Sequence, residues 1–344
     1  MERAAPETKA ARPRDGLVQL AALVVVVFGL QAARAWLLPV CFALLLAVLG
    51  SLPLTWLARR RVPRPIAALA SVAAVGAILW LVGKAFAHGV RDFGARLPDY
   101  RARLEQLLAD ALGWLSTLGV DVDVDQLVRS IEPRSWIGFA QQSVGGAFSL
   151  LSAGLLVAIA VAFALWEGER LHERLRAAFG DEWNESRAVR MVADLQRYLG
   201  VKFGTSLLTG VVVYLLNVAL GVEAALLWAL LAFVLNFVPI IGSIVAAVPP
   251  VLLAMASPEL GVGIGLTLAV GYLLVNNGIS NLLEPVLMGR QFGMPALVVL
   301  LSLVFWGWVW GAGGMFLAVP LTIVVGTAIG ARRDLSLLRA LIGR

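Results

Sequence analysis

AALLWALLAFVLNFVPIIGSIVAAVPPVLLAMASP, residues 224–258, is the stretch that decides the architecture. Its 35 residues include no Asp, Glu, Lys, Arg or His. As one α-helix it would run about 50 Å at about 1.5 Å per residue, against a bilayer core of about 30 Å. It is too long for one span, and short for two full spans of about 20 residues plus a turn. In its middle lies Asn236-Phe237-Val238-Pro239-Ile240-Ile241-Gly242. Pro239 lacks a backbone donor and Gly242 tolerates unusual backbone angles, so the helix is expected to break there. The simplest solution is a helical hairpin that enters the membrane, turns at Pro239–Gly242 and returns. Lipid has no partners for the backbone groups freed at such a break. The break therefore belongs against protein or water, as along a solute pathway.

The stretch has a partner. Gly242-Ser-Ile-Val-Ala-Ala247-Val248-Pro249 returns as Gly313-Gly314-Met-Phe-Leu-Ala318-Val319-Pro320, 71 residues later, with the same spacing from Gly to Ala-Val-Pro. The second copy also sits in an uncharged run, Gln291–Ala331, with glycines at Gly307, Gly311, Gly313 and Gly314. Paired interrupted apolar segments in two halves of a chain point to the binding site of a transporter.

The whole chain agrees with a membrane setting. Of its 344 residues, 60% are hydrophobic and 15% charged, and the mean hydropathy is +0.86. The expected fold class is an all-α polytopic membrane protein of about eight segments, two of them re-entrant hairpins in an inverted repeat. The net charge of +6 does not indicate nucleic acid, because the arginines cluster beside apolar spans. Cys41 is the single cysteine, so no disulfide can form within one chain.

Taken in order, residues 1–15 form a polar tail and 16–90 hold spans one to three, at about 16–33, 35–58 and 65–90. Arg59-Arg60-Arg61-Val62-Pro63-Arg64 reads as a cytoplasmic anchor. Lys84 and His88 lie near the end of span three, where they can reach the interface. Residues 91–134 form extracytoplasmic amphipathic helices, and 135–166 hold span four, with Gly145, Gly146 and Gly154 for close packing. Residues 167–202 form cytoplasmic amphipathic helices. Residues 203–331 form the transport core, and 332–344 are a basic tail with Arg332, Arg333, Arg339 and Arg344. With the N-terminus inside, this order places both termini in the cytoplasm and gives the two hairpin units opposite orientations.

Little in the chain suggests chemistry. There are two His, no HExxH, no Walker A motif and no Cys pair, so no enzyme activity and no cofactor are expected. Gly261-Val-Gly263-Ile-Gly265 lies in an apolar span with no strand before it and reads as packing. Asp121, Asp123 and Asp125, with Glu132, match positions 1, 3, 5 and 12 of an EF-hand loop, but Gln126 stands where the sharp turn wants Gly. A loop ending in a helix cap is the plainer reading. Glu284, an ionisable group at the end of a span, is the strongest functional candidate; interfacial capping or a pair with Arg290 are its structural alternatives. The expected solute or ion pathway comprises Asn236, Pro239, Gly242, Asn281, Glu284, Gly311, Gly313 and Gly314.

Three motifs resemble those of the autoinducer-2 exporter family of bacterial membrane proteins: NFVPIIGSIVAAVPP (236–250), NLLEPVLMGR (281–290) and SLVFWGWVWGAGGMFLAVPL (302–321). The family pattern maps onto Asn236, Pro239, Gly242, Pro249, Asn281, Glu284, Pro285, Gly289, Trp306, Gly307, Gly311, Gly313, Gly314 and Pro320. The resemblance runs over nearly the whole chain, in layout more than residues before span four. It implies a multi-pass permease of the bacterial cytoplasmic membrane that exports a small solute, with autoinducer-2 as the family's named substrate. Some relatives are assigned Na+(Li+)/H+ antiport instead. The expected partners are a small molecule or ion, membrane lipid and further copies of the chain, with no nucleic acid. With no ATP-binding domain in the sequence, transport would be driven by an ion or solute gradient.

The expected topology can be checked by labelling. In a Cys41→Ala background, new cysteines at Asp110 and Asp181 should react with impermeant thiol reagents from opposite faces of the membrane. Reaction from the same face would overturn the topology.

Overall fold

The computed structural model describes residues 13–60, 62–63, 66–93 apart from 68, 75 and 79, 185–288 and 295–329. All regular structure among them is helical. The aspartates of 121–125, span four, Gly289, Arg290 and the arginine-rich tail lie outside the described residues.

Two helices, α1 (Pro13–Ala32) and α2 (Arg34–Arg59), are joined at Ala33. The boundary falls where spans one and two were expected to meet, but the axes cross there at 83° and do not fold back antiparallel. Helix α3 covers Leu69–Phe93. A helix of 35 residues, α4 (Glu185–Ala219), follows. It runs straight through the boundary expected at 202, because nothing in 197–208 can stop a helix. Gly200 and Gly204 cost only about 1 kcal/mol each, and there is no proline. Among the described residues three helices are long and apolar enough to cross a membrane, Leu69–Phe93, Met191–Ala219 and Gly261–Met288, or four if α1 and α2 form one bent span. The exterior is apolar: Val25, Trp36, Leu69, Leu274 and Val286 are 68–82% exposed, as lipid-facing side chains are.

The long uncharged stretch is a helical hairpin of α5 (Ala225–Leu235) and α6 (Ile241–Ala256). Its arms of 11 and 16 residues are about 17 and 24 Å long, short of a bilayer core. Helix α7 (Gly261–Asn276) returns, widens into a π turn at Asn277–Leu283 and continues as α8 (Glu284–Met288). Pro285 has no N–H to give a carbonyl four residues back, and the widening directly precedes it. A second hairpin joins α9 (Ala296–Trp310) to α10 (Ala312–Ile329).

The two hairpins keep the 71-residue register. Ala225 and Ala296 open the first arms, and Ile241 and Ala312 the second. Ile240 and Gly311, the residue before each second arm, both have positive φ, 64° and 68°. Pro249 and Pro320 each sit inside the second arm, at the same position.

The turns themselves differ. The Ile241 N–H donates to the Pro239 carbonyl at 2.7 Å, and Ile240 has φ 64° and ψ −61°. That is a γ-turn of the rare positive-φ kind, strained in any L-residue and more so in a β-branched one. Gly242, expected to supply the unusual backbone angle, is already helical. Its role is close approach: a Cβ there would stand 1.8 Å from the Leu235 carbonyl oxygen. Gly314 has the same role in the second hairpin, where a Cβ would stand 1.9 Å from the Trp306 carbonyl oxygen.

Helix α4 packs against α5, α7, α8, α10 and α2. Its first half, through Tyr198 and Leu199, joins a core made with Trp306, Trp310, Leu317 and Ile323 of the second hairpin. Its second half, through Val213, joins a core with Trp228, Leu253, Leu268 and Tyr272 around the first.

Gly242→Ala and Gly314→Ala should each destabilise the protein by about 3 kcal/mol, because the obstructing atom is backbone. Gly204→Ala, where a Cβ meets nothing within 4 Å, should stabilise α4 slightly. Thermal unfolding of the purified variants in detergent measures both; equal midpoints for all three would refute the close-approach role.

Candidate functional site

On α4 the polar residues Lys202, Thr205, Ser206, Thr209 and Asn217 recur at steps of three, one, three and eight, which places them along one helical face. All five are buried, none more than 7% exposed. In a membrane span a polar face is stable only where other protein groups pair with it. Two hydroxyls turn back to their own helix: Thr205 donates to the Lys202 carbonyl at 3.1 Å and Thr209 to that of Thr205 at 2.9 Å.

The remaining partners come from the first hairpin and from α7–α8. Asn236, at the end of α5, donates through Nδ2 to Ser206 Oγ at 3.0 Å. Its Oδ1 accepts from Ser280 of the π turn at 3.2 Å. Asn236 thus ties the hairpin tip to α4 on one side and to α7 on the other. Asn217 donates to the Val213 carbonyl at 2.7 Å and to the Tyr272 hydroxyl at 3.1 Å, while its buried Oδ1 has no partner among the described residues. Between Asn236 and Tyr272 lies a cavity of about 20 Å³, room for one water-sized group, lined on its polar side by Thr209, Asn236, Ser243, Tyr272 and Asn276.

At the other end of the face, Lys202 Nζ lies 2.9 Å from both carboxylate oxygens of Glu284. The side chains are 5% and 13% exposed, so the pair is largely out of solvent. Thr205 Oγ1 stands 3.4 Å from Glu284 Oε2. The π turn carries Glu284 inward with Ser280, four residues before it, while Asn277 and Asn281 face outward, with Asn281 Nδ2 donating to Asn277 Oδ1 at 2.8 Å.

The sequence-expected residues therefore divide. Asn236 and Glu284 lie on the buried polar seam. Pro239 and Gly242 shape the turn beside it. Asn281 is exposed on the opposite side of its helix. Gly311, Gly313 and Gly314 belong to the second break, whose surroundings are the α1–α2 bend. A Cβ at Gly311 would stand 3.4 Å from the Arg34 guanidinium, and one at Gly313 2.8 Å from Leu38. Trp310 donates its ring N–H to the Leu30 carbonyl at 2.9 Å. A row of rings bridges the two hairpins. Phe237 of the first tip stacks on Phe316 of α10 at 4.9 Å, within a chain that runs Phe203, Phe233, Phe237, Phe316, Phe42.

Lys202, Thr205, Ser206 and Asn217 were not singled out from the sequence. Their signal was present: Lys202 is the one charge between Tyr198 and Val222, and Glu284 the one charge between Leu260 and Gly289.

Comparison with known proteins gives a consistent set of relatives. The model of the AI-2E family transporter matches residues 20–334. The chain is 33% identical over 314 residues to the AI-2 transport protein TqsA of Escherichia coli strain K12, covering 91% of each chain. It is 34% identical to the putative transport protein YhhT of the same strain, over 90% of this chain and 88% of that one. A putative transport protein of Haemophilus influenzae is 30% identical over 95% of both chains.

Removing one member of the buried pair leaves the other charge uncompensated. Lys202→Met should lower stability by about 3–5 kcal/mol, and Lys202→Met with Glu284→Gln should recover much of that loss. A double-mutant cycle on thermal midpoints in choline chloride tests it; simple additivity would mean that the pair carries no coupling.

Proposed function

This chain belongs to the AI-2E transporter family, and from that premise we propose that it is a secondary carrier of a small solute in the bacterial cytoplasmic membrane. AI-2, which names the TqsA relative, is the first solute to test. The observation that carries the reading is the buried polar seam: five polar residues of α4 inside an apolar helix bundle, facing a broken hairpin tip and a π turn. Polar groups would also join the helices of a membrane scaffold, but a scaffold has no use for the cavity and the strained turn at Ile240 that lie beside them here.

In this reading both hairpins are re-entrant, and α4–α6 and α7–α10 are two units of an inverted repeat. The termini are cytoplasmic, residues 91–134 are outside, and several copies of the chain assemble. The first hairpin is the element that exposes the seam to one side or the other. Its strained turn at Ile240 is suited to this, because strain held at a tip favours a second conformation that relieves it. The gradient of an ion or of the solute supplies the driving force. A second reading, Na+(Li+)/H+ antiport, is favoured by one observation, the buried carboxylate of Glu284. It requires activity without any organic solute.

Purified protein in liposomes should move AI-2 down its gradient faster than protein-free vesicles do. Asn236→Ala should reduce the flux per inserted molecule about tenfold, the scale of one lost hydrogen bond at a binding site. Flux no greater than in empty vesicles for AI-2 and related small hydroxylated solutes, together with proton movement driven by Na+ or Li+ alone, would replace the carrier reading by the antiport one.

A further inference from the structure

Among the described residues, the Glu284 carboxylate has the features of an alkali-cation site. It is nearly buried, it offers two oxygens on one side, and the Thr205 hydroxyl oxygen stands 3.4 Å from one of them. A carboxylate in such a place demands one compensating positive charge, whatever its source. Hard monovalent cations and an ammonium group place the same demand on their surroundings: oxygen donors and a unit of negative charge. Here the charge is Lys202 Nζ, 2.9 Å from both oxygens, and it reaches them from α4, 82 residues away in the chain.

Lys202 holds this position on a poor local case. Its side chain gives up water and rotamer freedom to lie in an apolar helix bundle, and a buried pair is on balance worth little to stability. What the pair achieves is electroneutrality: the seam carries no net charge with the cation built in. We propose that the Nζ position of Lys202 is a monovalent-cation site that the chain fills with its own side chain, so that Glu284 binds no free Na+ or Li+ and solute transport requires neither. Taking the ammonium away uncovers the site. Methionine is the suitable replacement, since it keeps most of the apolar stem and leaves the head position open to an ion. Cation binding at Glu284 stands apart from the carrier reading, whereas the salt independence of solute flux rests on it.

The test is thermal unfolding of the full chain in detergent, in LiCl, NaCl and choline chloride at matched ionic strength. Wild type should unfold at one temperature in all three salts. Lys202→Met should be stabilised by Na+ or Li+ in a saturable manner, by about 5 °C at saturation. Lys202→Met combined with Glu284→Gln should lose that response. A saturable, cation-specific rise in wild type would overturn the proposal, as would a folded Lys202→Met that is indifferent to both ions. If Lys202→Met does not fold in choline, recovery in Na+ or Li+ supports the site. Lys202→Gln, whose amide still donates to Glu284, serves as the second variant. Failure of both in every salt overturns the proposal, because an open cation site would have been filled. Wild-type flux of AI-2 in liposomes should be equal in sodium and choline media, and a requirement for sodium would overturn the transport clause. An absence of any flux would count against the carrier reading and leave the thermal result to decide the site.

Discussion

A carboxylate and an ammonium enclosed between apolar helices each require the other close at hand. That constraint governs the packing of the described core. Lys202 fixes the first half of α4, Glu284 fixes the junction of the π turn with α8, and their 2.9 Å contact sets how α4 and α7–α8 lie against each other. Once that face of α4 is turned inward, Thr205, Ser206, Thr209 and Asn217 follow, since they share it. Each must then be met by a group from a neighbouring element, which is the place of Asn236, Ser280 and Tyr272. The polar seam and the ion pair are one structural decision.

The two hairpins share a register and differ in character. Both turn on a residue of positive φ, but in one that residue is glycine, and in the other it is isoleucine. The second tip is clamped, since Arg34 covers Gly311 and Trp310 bonds to Leu30, and farther down the arms Ser302 is held by Thr322 and the Ala318 carbonyl. The cation of Arg34 also lies at the carbonyl end of α9, where a positive charge is favourable. The first tip has no such clamp among the described residues. It rests on Asn236 and on the stack of Phe237 against Phe316. Among the described residues, the shared register thus carries two turns that are held by different contacts.

The sequence disclosed what depends on length and local chemistry. An uncharged run too long for one span and too short for two foretold the first hairpin, and the Gly-to-Ala-Val-Pro spacing foretold the second. Glu284 stood out because an ionisable group in a span is costly. What stayed hidden is tertiary. Lys202 looked like the charged end of a surface helix, a position from which lysines usually reach water. Only the packing of α7–α8 against α4 shows that it points inward. Asn281 was expected beside Glu284, but the π turn alters the phase of the helix and leaves it outside with Asn277. Gly242 was valued for its freedom of φ, yet the left-handed residue is Ile240, which no propensity rule would choose. The glycine is needed because a carbonyl passes where its Cβ would be.

The distance between Lys202 and Glu284 along the chain matters before the protein is complete. The two residues are 82 positions apart. At about 5–20 residues per second, the ribosome delivers the lysine about 4–16 s before the carboxylate. For that interval α4 carries its lysine without the carboxylate that later meets it, a cost of about 2.5–3.5 kcal/mol for a lysine at the centre of a membrane helix. The pairing waits for α7 and α8, so that helices made later complete the surroundings of an earlier one.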